Sequence, residues 1–87
     1  MAKLTDDEQE LLKLLVEHMD SSGLEMNSIE TLAVPRELDE RRVNQCLAEL
    51  DRRGFIALPE SDSEPHARIV WSDQGLKRAQ RVIGLMS

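Results

Sequence analysis

Eighty-seven residues suffice for one small domain with a single modest core, and positions 1–87 read as that one domain, with no linker and no internal repeat. A composition that is 40% hydrophobic and 32% charged, with no apolar run near the roughly 18 residues needed to cross a bilayer, excludes a membrane-spanning chain and fits a helix-rich globule. The net charge of −6 argues against a generalised polyanion binder, while a lone cysteine excludes an internal disulfide framework and fits a reducing cytoplasm.

The charge is unevenly placed. Residues 1–34 set only Lys3 and Lys13 against eight acidic side chains, whereas residues 35–58 balance five arginines against five acids and residues 59–87 balance four against four. The whole excess therefore lies before Pro35, and the later part of the chain is free to meet an anion. The opening stretch MAKLTDDEQE is acidic and polar, so neither a secretory signal nor a transit peptide is expected.

In chain order, the first helix is expected to begin after Thr5, because Thr5-x-x-Glu8 has the spacing of a capping box. Leu11, Leu12, Leu15, Val16 and Met19 then form one apolar stripe, and Asp20-Ser21-Ser22-Gly23 stops it. Leu24-Glu25-Met26 reads as a short extended segment. Asn27 or Ser28 is expected to cap a second helix with Ile29, Leu32 and Ala33 inward, ending at Val34 before Pro35. Asp39 caps a third helix running to about Arg53 and closed by Gly54.

Stepping ~100° per residue around that third helix gathers Val43, Leu47 and Leu50 on one side, with Cys46 on the flank. Arg41, Gln45, Ala48 and Arg52 cluster opposite, flanked by Arg42, Asn44 and Glu49, while Glu40 and Asp51 fall toward the core edge. Next, Phe55-Ile56-Ala57-Leu58 is β-prone, and Ala67, Ile69 and Trp71 alternate onto one face of a second strand. The polar run between them predicts a hairpin. Ser72 is expected to cap a final helix carrying Leu76, Ala79, Val82, Ile83 and Met86 at helical spacing.

Three pieces of this pattern carry a resemblance. Leu32-Ala33 stands ten residues before Val43; the run Val43-x-x-x-Leu47-x-x-Leu50-x-x-x-Gly54-Phe55-Ile56 follows; and Trp71-Ser72-Asp73-Gln74-Gly75 has the form of a leucine-threonine-x-x-glycine corner. Together, from about Thr5 to Met86, the chain resembles a winged helix-turn-helix domain of the MarR-like kind. That resemblance implies a mainly α fold with a small β-hairpin: a three-helix core, a wing hairpin and a C-terminal helix. It also implies a third helix that enters the major groove of double-stranded DNA, as in a small transcription regulator. The turn between the second and third helices usually holds glycine in this family, and here it reads Val34-Pro35-Arg36-Glu37-Leu38.

On this reading Arg41, Gln45 and Arg52 contact base edges or phosphates, with Asn44 beside them, and Ala48 lets the backbone approach closely. Arg36 and Arg42 are phosphate-positioning candidates, and Arg68 extends the basic surface. The competing reading of the same residues is an ordinary solvated face. The tip of the expected wing holds Glu60, Asp62 and Glu64, relieved only by His66 and Arg68, which opposes its insertion against phosphates.

The apolar stripes on the two terminal helices exceed what the rest of so small a domain easily covers, so a homodimer through those helices is expected. A second function class stays open: a protein-interaction module whose acidic first helix and acidic wing dock on a basic protein partner without touching DNA. Cys46 reads as inert packing, and His18 and His66 lack companions at zinc spacing. Glu60-x-Asp62-x-Glu64 fails as a calcium loop, because Pro65 stands where glycine is needed. No nucleophile–base arrangement and no glycine-rich phosphate loop is present, so no enzyme and no cofactor is expected.

Overall fold

The first helix, α1 (Asp6–His18), starts where its capping box dictates. The Thr5 hydroxyl accepts from the Glu8 N–H at 3.2 Å, and the Glu8 carboxylate accepts from the Thr5 N–H at 2.9 Å. The computed structural model describes residues 3–59 and 67–86, with the side chains of 85 and 86 left undescribed. Glu60, Asp62, Glu64 and His66, the tip of the hairpin expected from sequence, lie outside the described residues.

Chain order is α1, β1 (Leu24–Glu25), α2 (Met26–Ala33), a 3-10 turn (Val34–Arg36), α3 (Glu40–Arg52), β2 (Ile56–Ala57), β3 (Arg68–Trp71) and α4 (Gly75–Met86). The chain is thus mainly helical with a small antiparallel sheet of three strands in the order β1-β3-β2. Leu24 pairs with Ile69, and Ile56 pairs with Trp71. The short extended segment read at Leu24 therefore becomes the sheet's third strand. The β2–β3 pairing matches the hairpin expected from sequence.

The helix α1 lies at the centre of the fold. It packs against α2, α3 and α4, which is why Leu11, Leu12, Leu14 and Leu15 are all fully buried. One amphipathic stripe does not capture this: Leu14 lies off the stripe read from sequence, and Val16 is only partly buried. The remaining core comes from Met19, from Ile29, Ala33 and Leu38, from Val43, Cys46, Leu47 and Leu50, and from Phe55, Ile56, Ala67, Ile69 and Ala79.

Two caps differ from expectation. Asn27 and Ser28 do not cap α2; it begins earlier, at Met26, and Glu25 precedes it with no side-chain cap. The Met26 N–H donates instead to the Ala67 carbonyl at 3.1 Å, so the sheet satisfies a group that a cap would otherwise serve. Ser72 does not cap α4 through its side chain either; its hydroxyl donates to the Gly54 carbonyl. Gln74 takes a left-handed φ of 64° to turn the chain into Gly75. A Cβ at Gly75 would lie 2.0 Å from the Phe55 carbonyl oxygen, so only glycine fits where α4 crosses the end of α3.

The α2–α3 connection runs one turn beyond Val34. Pro35 sits in the first turn of the 3-10 segment, where its missing N–H costs nothing. Glu37 then adopts φ 60°, the left-handed conformation that glycine takes without strain. Leu38 follows into the core, donating its N–H to the Ala33 carbonyl.

Candidate nucleic-acid interface

Asp39 fixes the start of α3, its carboxylate accepting from the Arg42 N–H at 2.7 Å. The end is a Schellman arrangement: the Gly54 N–H donates to the Asp51 carbonyl and the Phe55 N–H to the Leu50 carbonyl, each at 3.0 Å. Gly54 takes φ 84° to make it. Between these stops Val43, Cys46, Leu47 and Leu50 are buried, which fixes the helix rotation and turns the opposite side outward.

That outward face carries Arg41, Asn44, Gln45, Ala48 and Arg52, all exposed. Glu40 and Asp51 are exposed as well and not at the core edge, because the ends of a short helix have no neighbour to cover their flanks. The face is therefore mixed in charge, with its polar and cationic groups flanked by acids.

The candidate arginines differ in how far they are already engaged. Arg41 has no ion pair or side-chain hydrogen bond among the described residues. Arg42 sends its Nε to Asp7 of α1 at 2.5 Å and one terminal nitrogen to the Gln45 amide oxygen at 3.2 Å. The Asp7 carboxylate raises the Arg42 pKa above its ordinary value. Arg52 is chelated by Glu49, with Nε to Oε2 at 2.9 Å and a second bond to Oε1. Those bonds pull the Glu49 carboxyl below its usual range, and Arg53 reaches the same carboxylate at 3.1 Å.

Arg36 and Arg68 are held away from the α3 face. Arg36 reaches Glu17 at 3.1 Å and Glu10 at 3.6 Å, both on α1, and also donates to the Leu32 carbonyl. Arg68 lies opposite Glu25 in the β1–β3 pair, 3.7 Å from its carboxylate, and donates to the Ser22 carbonyl at 3.3 Å. The structure thus brings together Arg41, Asn44, Gln45 and Arg52, sets Arg42 beside them, and leaves Arg36 and Arg68 on other elements.

Sequence reading places Arg78 of α4, like Lys77, among scattered surface charges and misses its structural role. Its guanidinium sits 4.8 Å from the Phe55 ring centroid and donates to the Gly54 and Arg53 carbonyls. It therefore closes the C-terminal end of α3, where a cation meets the negative end of the helix dipole. Trp71 does similar work at the sheet, its indole N–H donating to the Met19 carbonyl at 3.2 Å and tying β3 to the end of α1.

Among the described residues no group of three or more His, Cys, Asp or Glu side chains is placed to hold a metal ion. No helix there is long and apolar enough to cross a membrane. Comparison with protein-family models, with curated proteins and with solved structures returns no match to this chain.

Proposed function

We propose that the chain is a winged helix-turn-helix domain that binds double-stranded DNA by laying α3 in the major groove, as a small transcription regulator. The order α1-β1-α2-α3-β2-β3-α4, with β1 added to the hairpin edge, supports the winged-helix reading. The observation that carries the function is the outward face of α3. Arg41 stands there uncommitted beside Asn44, Gln45 and the small Ala48, on a helix whose opposite side is wholly in the core. Arg reads guanine and Gln or Asn reads adenine in the major groove, and a small residue permits close approach.

The protein acts as a homodimer through its terminal helices in this proposal, so that two copies of α3 meet successive turns of the duplex. Within one chain α4 already packs on α1, and among the described side chains of α4 Leu76, Val82 and Ile83 form a half-buried rim that a second copy could cover.

A second reading has a specific observation in its favour. Arg36, Arg42, Arg52 and Arg68 are all joined to carboxylates of their own domain, which lowers the positive field available to a polyanion. A protein-interaction module with acidic α1 outward to a basic protein partner accounts for that arrangement without DNA. Binding of a labelled mixed-sequence duplex separates the two. The DNA reading expects affinity that falls steeply as salt rises, whereas no binding even at about 50 mM salt supports the protein-interaction reading.

A further inference from the structure

Asp7, Glu10 and Glu17 lie three and seven residues apart and so share one face of α1. Each of them meets an arginine that the sequence marks for phosphate contact. Asp7 takes Arg42 at 2.5 Å, while Glu10 and Glu17 take Arg36 at 3.6 and 3.1 Å. The partners come from distant segments, so the pairings are products of the fold and not of helix neighbours.

We infer that this carboxylate stripe is an autoinhibitory contact, occupying Arg36 and Arg42 in place of DNA phosphates and releasing them only when a duplex is seated on α3. The inference rests on the DNA reading of α3. A carboxylate and a phosphate oxygen offer a guanidinium the same charge-assisted bonds, so the exchange is one of partner and not of chemistry. Both pairs are partly exposed, with Arg42 and Asp7 each a little over two-fifths open, so water and salt weaken them enough to be displaced.

The exchange falls selectively on backbone contacts. Arg36 and Arg42 must leave a partner before meeting phosphate, whereas Arg41 leaves none before meeting a base edge. The stripe therefore lowers affinity for any duplex by a common factor and leaves the ratio of specific to non-specific binding to Arg41 and its neighbours on the α3 face. It gives three of the eight acids that precede Pro35 a defined partner.

The test compares Asp7→Asn with Asp6→Asn in the full chain, using mixed-sequence duplex at several salt concentrations. Asp6 is the adjacent exposed acid and meets no arginine among the described residues, so its variant reports the bare effect of one lost charge. Asp7→Asn is expected to tighten binding by about two- to fivefold beyond Asp6→Asn, and to steepen the salt dependence toward one further phosphate. In an Arg42→Ala background the difference between the two is expected to vanish. Glu10→Gln with Glu17→Gln tests the Arg36 pairings in the same way, should the Asp7 variant weaken α1 itself.

Equal tightening by Asp7→Asn and Asp6→Asn, with the wild type binding duplex, overturns the autoinhibitory contact and leaves the DNA reading in place. Absence of binding by the wild type and by every variant overturns both.

Discussion

At the level of single residues, the decisive distinction is between arginines that are free and arginines that are spent. Among the described residues Arg41 has no partner to give up, whereas Arg52 is chelated by Glu49 even though its side chain is 74% exposed. Arg41→Ala is therefore expected to weaken duplex binding by about tenfold, and Arg52→Ala by clearly less, in a fluorescence-anisotropy titration. A larger loss at Arg52 than at Arg41 contradicts this assignment. Asp62→Ala, in the expected wing, should leave binding unchanged or improve it.

Cys46 shows how burial governs chemistry at the same scale. It is 1% exposed, and desolvation pushes its thiol above the ordinary value of 9.0. A thiol raised in the folded state stays neutral there while the unfolded chain ionises. Its contribution to stability is thus intact below the ordinary thiol value and is lost as pH rises through the folded value. Labelling by a thiol reagent at neutral pH is expected to proceed only as fast as the domain opens, and rapid stoichiometric labelling of the native protein contradicts that.

At the level of elements, the most informative departure is the α2–α3 turn. Glu37 holds φ 60° where a side chain is strained, so Glu37→Gly is expected to stabilise the domain by about 0.5–1 kcal/mol in a thermal or denaturant melt. A destabilised Glu37→Gly variant means that the side chain contributes more than the backbone strain costs.

The same elements show what the chain discloses before folding. Thr5, Asp39 and Gly54 act where sequence places them, because capping is decided within four residues. The start of α2 was not legible, since its first N–H is satisfied by Ala67, some forty residues later, and no local signal encodes that bond. The Ser72 hydroxyl was misassigned for the same reason, its acceptor Gly54 being 18 residues away. Within the site, the face of α3 could be read from periodicity alone. That Arg42 is paired to Asp7 and Arg36 to Glu17 could not, because those contacts join α1 to later elements. A single stripe assumes one buried side and so omits Leu14, whereas α1 has neighbours on several.

At the level of the whole molecule, a charge of −6 coexists with an arginine-bearing helix because the acids are gathered on the first part of the chain. Folding then brings part of that excess against the arginines, leaving Arg41 and Asn44 as the groups of the α3 face least committed to other described residues. The core is correspondingly simple: α1 is sheathed by three helices, the sheet closes one side, and no buried polar side-chain atom lacks a partner among the described residues. Burial of Val43, Cys46, Leu47 and Leu50 sets which face of α3 is outward, and the proposed function rests on the chemistry of that face. The most direct measurement is a titration of labelled mixed-sequence duplex between about 50 and 200 mM salt, with wild type beside Arg41→Ala. Binding that falls linearly with salt on logarithmic axes, and that Arg41→Ala weakens without altering the melting temperature, is the expected result; no binding by the wild type at the lowest salt contradicts a duplex-reading α3.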